Sequence, residues 1–132
     1  MTKNNKDAYA IAFQNLFNVA YAAGQEAAEA MTPRPMSLVN ADIRGNPLPN
    51  SPVYHCNEGM CGFAWVVVRP ATSAFAKWMV KNKLARTGYT GGLHIWISDY
   101  NQSYERKLAH ARAMAKVISD AGFEAYPDSR LD

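Results

Sequence analysis

The run Phe63-Ala64-Trp65-Val66-Val67-Val68 constrains the fold of this chain more than any other stretch. In an extended strand Phe63, Trp65 and Val67 share one face, and Ala64, Val66 and Val68 share the other. Both faces are apolar. A strand of that kind belongs at the centre of a sheet, covered on two sides. Pro70 ends it. Upstream, Val53-Tyr54-His55-Cys56 reads as its hairpin partner, because the connection Asn57-Glu58-Gly59-Met60 is short and contains glycine. A third strand opens at Gly91-Gly92, where Leu93, Ile95 and Ile97 alternate with His94, Trp96 and Ser98. Phe123 to Tyr126 is a fourth, followed by a polar tail.

Helices supply the cover. Residues 7–31 read as one long helix, with Tyr9, Phe13, Leu16, Phe17, Ala20, Gly24, Ala27 and Met31 on one apolar face. Gln14, Asn18, Gln25 and Glu29 lie off that face. Its end is small (Ala20, Ala23, Gly24, Ala27, Ala28), which lets another helix come close. Either this helix packs within its own chain, or its overhang meets a second copy. Thr32-Pro33-Arg34-Pro35 stops it. Residues 32–52 then hold five of the seven prolines, a loop of the length that usually serves a function.

Thr72 or Ser73 caps a short helix over 74–83, and 86–89 is a turn. A last helix runs over 104–121, with Leu108, Ala111, Met114, Ala115, Ile118 and Ala121 inward. Arg106, Lys107, His110, Lys116 and Asp120 are expected to point outward, and Gly122 to end the helix. The expected fold class is α+β: a long N-terminal helix, then a roughly four-stranded sheet (hairpin, helix, strand, helix, strand) with helices on one face. At 132 residues the chain reads as one domain, 1–132, with helix 7–31, proline-rich loop 32–52 and core 53–132.

Several functions fit poorly. The apolar run Phe63–Val68 is far too short to span a bilayer, and residues 1–7 lack the apolar region of a signal peptide, so a cytoplasmic location is expected. A net charge of +3 suits an anionic ligand but falls short of a duplex-DNA binder. His55, Cys56 and Cys61 lack the second ligand pair of a zinc knuckle. There is no nucleophile elbow, no paired His-x-Thr/Ser motif and no phosphate-binding loop. The chain is therefore expected to be no enzyme and to carry no cofactor or metal.

Nucleotide binding survives these tests. A base needs flat apolar surface, phosphates need cations or free N–H groups, and ribose needs small polar side chains. Trp96 stands on the more polar face of its strand, and Tyr100 follows in a polar elbow. Asn101, Gln102 and Ser103 precede a helix N-terminus, whose partial positive charge favours an anion. Arg34, Arg106 and Arg130 supply planar cations, with Arg34 fixed between two prolines. These eight residues are the candidate ligand-binding set.

Thr-Pro-x-Pro-Met at 32–36, Cys-Gly-Phe-Ala-Trp-Val at 61–66, Gly91-Gly92, Gln102-Ser103 and the terminal Ser129-Arg130-Leu131-Asp132 resemble a group of small bacteriophage proteins. That group is similar to the Thoeris anti-defence sponges. The resemblance implies a non-catalytic protein that sequesters a cyclic nucleotide immune signal: a cyclic ADP-ribose isomer made by TIR-domain proteins, or a cyclic oligonucleotide. It also implies a homo-oligomer, a dimer or an assembly of dimers. Two other functions fit the residues: an interaction protein that inhibits a host protein through its first helix or aromatic surface, and a small single-stranded nucleic-acid binder.

Overall fold

The structure, a computed structural model, describes residues 3–33, 36–39, 44, 46, 53–56, 59–88, 91–101 and 103–132, with the backbone alone for 3–6, 36–39 and 53–56. In chain order the elements are α1 (Lys3–Ala30), β1 (Met36–Val39), β2 (Val53–Cys56), β3 (Gly62–Arg69), α2 (Ala74–Lys81), β4 (Arg86–Thr87), β5 (Leu93–Trp96), α3 (Tyr104–Asp120) and β6 (Glu124–Leu131). The class is α+β, as the pattern of elements predicts.

β3 is the inner strand the sequence demands. It lies in a four-stranded antiparallel sheet of order β4-β5-β3-β6. The expected hairpin with Val53–Cys56 does not form. β2 pairs instead with β1, Met36 opposite Cys56 and Val39 opposite Val53, in a separate two-stranded sheet. The reason is competition for edges: β6 pairs with β3 along its whole length, from Gly62 opposite Leu131 to Arg69 opposite Glu124, while β5 takes the other side. The polar tail thus continues the last strand as far as Leu131. The fourth strand of the sheet is β4, inside the expected turn.

One face of the sheet carries the core. Ala64, Val66 and Val68 meet Leu93, Ile95 and Ile97 beneath Phe75 and Met79 of α2 and Ala111, Met114 and Ile118 of α3, all buried. Burying a valine, leucine, isoleucine, phenylalanine or methionine side chain stabilises by roughly 1.5–3 kcal/mol. Phe13 of α1 packs on Phe75, with ring centroids 5.3 Å apart, and Phe17 and Ala20 join the same cluster. From Phe13 to Met31 the apolar stripe of α1 is therefore buried or half-buried within the chain, while Tyr9 at its start is exposed. The outward side of α1 leaves Ile11 and Val19 more than half exposed.

α1 lies along α3, so α3 is covered on two sides, and three outward assignments need correction. His110 is fully buried, Lys107 is 5% exposed, and Arg106 is half-buried, while Ala121, expected inward, is the exposed C-cap. A single apolar stripe reports one buried face, and a helix sandwiched between a sheet and another helix has two. Gly24 permits the approach, since a Cβ there would run into the His110 ring. The caps follow the sequence: Ser73 Oγ accepts from Ala76 N at 3.1 Å, and Gly122 ends α3 in the left-handed region at φ 102°. Among the described residues no helix is long and apolar enough to cross a membrane.

Candidate functional site

The elbow between β5 and α3 turns Tyr100 and Ser103 inward and leaves Ser98, Asp99 and Asn101 exposed. Tyr100 and Asn101 are both left-handed, at φ 70° and 52°, a conformation that costs an ordinary residue about 1–2 kcal/mol. The Tyr100 hydroxyl lies 2.7 Å from His110 Nδ1, and Ser103 N donates to the Tyr100 carbonyl at 3.0 Å. The Tyr21 hydroxyl of α1 donates to the Asp99 carboxylate. Burial raises the Tyr100 pKa, with help from Asp99. Burial and then the Asp99 hydrogen bond hold the Tyr21 hydroxyl protonated well beyond the usual tyrosine range. His110 is pushed down by burial, against the pull of Asp99.

The helix start is equally committed. Tyr104 N donates to the Met60 carbonyl at 2.9 Å, and Arg106 N donates to Ser103 Oγ at 3.4 Å. These are donors that an anion would need. Ser103, only 2% exposed, is the cap of α3. The Arg106 guanidinium donates to the Ala28 carbonyl at 2.8 Å, tying α3 to the last turn of α1. Asn101 is exposed on the turn. Arg130 stands on β6, its guanidinium 5.1 Å from the Phe63 ring centroid, on the far side of β3 from β5. Arg34 and Gln102 lie outside the described residues.

Trp96 is different. It lines a cavity of about 880 Å³ between α1, the α2–β4 connection and the β5 edge beyond His94. Small-molecule sites occupy roughly 300–1,000 Å³. Phe17 and Tyr21 form the α1 wall, their rings nearly parallel with centroids 6.1 Å apart. Asn18 and Gln25 add two amides to that wall. Lys83 and Arg86 bring positive charge from the other side, with the Arg86 guanidinium 5.3 Å from the Trp96 ring centroid. Asp99 and Ser98 complete the polar lining.

On the face away from the helices, Trp96 packs at 4.7 Å on Trp65, which stacks in turn on His94. Burial lowers the His94 pKa, and its ring sits against Gly88, where a Cβ would overlap it. Trp65 Nε1, His94 Nε2 and His110 Nε2 are buried with no hydrogen-bond partner among the described residues. No group of acidic, histidine and cysteine side chains suited to a metal occurs among the described residues.

The structure thus brings one predicted residue, Trp96, into a cavity and gives Tyr100, Ser103 and Arg106 structural partners. Lys83 and Arg86 were missed, because their position depends on the register that sets Arg86 opposite His94. Asn18 and Gln25 did carry a signal. They are seven residues apart on α1, off the apolar stripe and on the side of Tyr21. No protein-family model, curated protein or solved structure matches this chain, so the cleft is read from its own chemistry.

Proposed function

We propose that the protein binds a nucleotide in the cleft at the β5 edge and holds it without cleaving it. The observation that carries this reading is the Arg86 guanidinium over the Trp96 ring, beside Lys83, at a cavity of nucleotide size. A planar cation suits phosphate oxygens, and the paired rings of Phe17 and Tyr21 offer a base a surface to stack on. Of the acid–base groups nearby, Asp99 already accepts from the Tyr21 hydroxyl, which favours retention over turnover. The resemblance to anti-defence sponges supplies the ligand class: a cyclic nucleotide immune signal, first a cyclic ADP-ribose isomer, then cyclic oligonucleotides, sequestered in the host cytoplasm. In this reading a second copy packs on the outward side of α1, at Ile11 and Val19. A monomeric mass in solution removes that part.

The test mixes purified protein with cyclic ADP-ribose isomers and cyclic di- and trinucleotides, removes free ligand, heat-denatures the protein and analyses the supernatant. Intact ligand is expected. A cleaved product makes the protein an enzyme, and retention of no nucleotide defeats the proposal. Arg86→Ala should weaken binding about tenfold or more, the scale of a lost charge-assisted contact. Arg106→Ala should leave the affinity of the folded protein unchanged.

A further inference from the structure

The two edges of the four-stranded sheet are finished differently. β6 is blunted: Pro127 stands opposite Val66, and Glu124, Asp128 and Arg130 are exposed along the strand. At the other edge β4 is two residues long, Arg86 opposite His94 and Thr87 opposite Leu93. Beyond His94 that edge has no covering strand among the described residues.

Backbone alternation fixes which groups are left there. Gly88 N donates to the Gly92 carbonyl at 2.9 Å, so Gly92, His94 and Trp96 turn their N–H and C=O groups toward β4. Ile97 N donates to the Ala64 carbonyl at 3.1 Å, so Ile95 and Ile97 turn theirs toward β3. The two observations agree. The residue that would meet Trp96, were β4 longer, is Leu84. Its N–H is already given to the Met79 carbonyl at 2.9 Å, where the chain leaves α2. Trp96 therefore presents one donor and one acceptor side by side on an open edge. The cavity lies against that edge, since Ile95 and Trp96 both line it although their side chains take opposite faces.

Resting on the nucleotide reading of this cleft, we infer that the main chain of Trp96 reads an adenine base. The Trp96 carbonyl accepts from the exocyclic amino group, and its N–H donates to the neighbouring ring nitrogen. Adenine carries that donor and acceptor next to each other on one edge. Phe17 and Tyr21 provide the stacking wall, and Arg86 and Lys83 hold the phosphate.

Amide exchange on the full-length ¹⁵N-labelled protein tests this. In the free protein the Trp96 N–H should exchange at least about tenfold faster than that of Ile97, whose bond lies inside the sheet. Millimolar adenosine 5′-monophosphate should slow it. The N6,N6-dimethyl analogue keeps the phosphate and the ring but has no amino hydrogens, and should bind about tenfold more weakly or worse. Equal protection of the Trp96 and Ile97 amides in the free protein overturns the inference. So does equal binding of the two nucleotides, which leaves the nucleotide reading standing on phosphate and stacking alone. If adenosine 5′-monophosphate does not bind, the inference falls whether or not another nucleotide is retained. If none is retained, the proposed function falls with it.

Discussion

The elbow from Tyr100 to Arg106 and the β5 edge just before it hold similar chemistry, aromatic rings beside polar and charged groups. They differ in how far that chemistry is already committed, with Ser98 and Asp99 between them lining the cleft. In the elbow the groups close on one another. The Tyr100 hydroxyl meets His110, Asp99 takes the Tyr21 hydroxyl, Ser103 caps α3, and Arg106 holds the end of α1. At the edge, Arg86 has the face of Trp96 and, among the described residues, no ion pair, while the Trp96 main chain looks onto a cavity. A polar turn is thus a poor guide to a ligand. What decides availability is whether its hydrogen bonds close within the fold, and a helix start with its N–H groups answered has little left for an anion.

The largest effect that could break this comparison is at Gly24. The elbow closes only because α1 comes close enough for Tyr21 to reach Asp99 and for Gly24 to lie against His110. Helix propensity alone favours alanine at a glycine by about 1 kcal/mol. Here the added Cβ meets a fully buried ring, and overpacking of that kind costs about 3 kcal/mol. Gly24→Ala should therefore lose about 2 kcal/mol in denaturant unfolding. A stabilised variant would mean that this contact does not set the spacing of the helices.

Acid is the next probe. Burial holds the His94 and His110 pKa values below the ordinary histidine value. Arg69 and Arg86 push His94 further down, while the Gly91 carbonyl and Asp128 oppose the shift. Around His110 stand the Tyr100 hydroxyl, the edge-on Tyr21 ring at 4.8 Å and, opposing the shift, the Asp99 carboxylate. Below pH ~6.5 the unfolded chain binds protons that the folded chain refuses, so stability is full above that pH and falls as pH drops toward the depressed folded values. The slope is at most ~1.4 kcal/mol per pH unit for each histidine. Urea midpoints at pH 7.5 and 5.5 should show the loss, and His110→Leu should reduce the slope. A flat profile would contradict the burial of both rings.

What could be seen in the sequence was whatever one segment decides alone. The two apolar faces of β3, the cap at Ser73, the stop at Gly122 and the stripe of α1 are all local, and all are present. Pairing is decided by two segments at once. Val53–Cys56 was recognisable as a strand, but its partner depended on β6 being long enough to occupy β3 completely, and nothing in residues 53–61 reports that. Burial of His110 and Lys107 needed α1 against α3, a second covered face that a single stripe hides. The site divides the same way. Trp96 was visible as a large ring on a polar face, whereas Arg86 becomes its neighbour only through the β4–β5 register.

The smallest predicted effect separates the two regions most sharply. Ser103→Ala removes the hydroxyl that accepts from Arg106 N, and loss of a serine cap costs about 1 kcal/mol. The backbone bonds of Ser103, its N–H to the Tyr100 carbonyl and its carbonyl from Lys107 N, need no side chain and should persist. The folded variant should thus keep its nucleotide affinity within about twofold, because Ser103 is buried away from the cleft lining. If the elbow were the anion site, the same change would strip a ligand contact, and affinity would drop about tenfold. Titrating Ser103→Ala and Arg86→Ala side by side, under conditions where both are fully folded, decides which region holds the ligand.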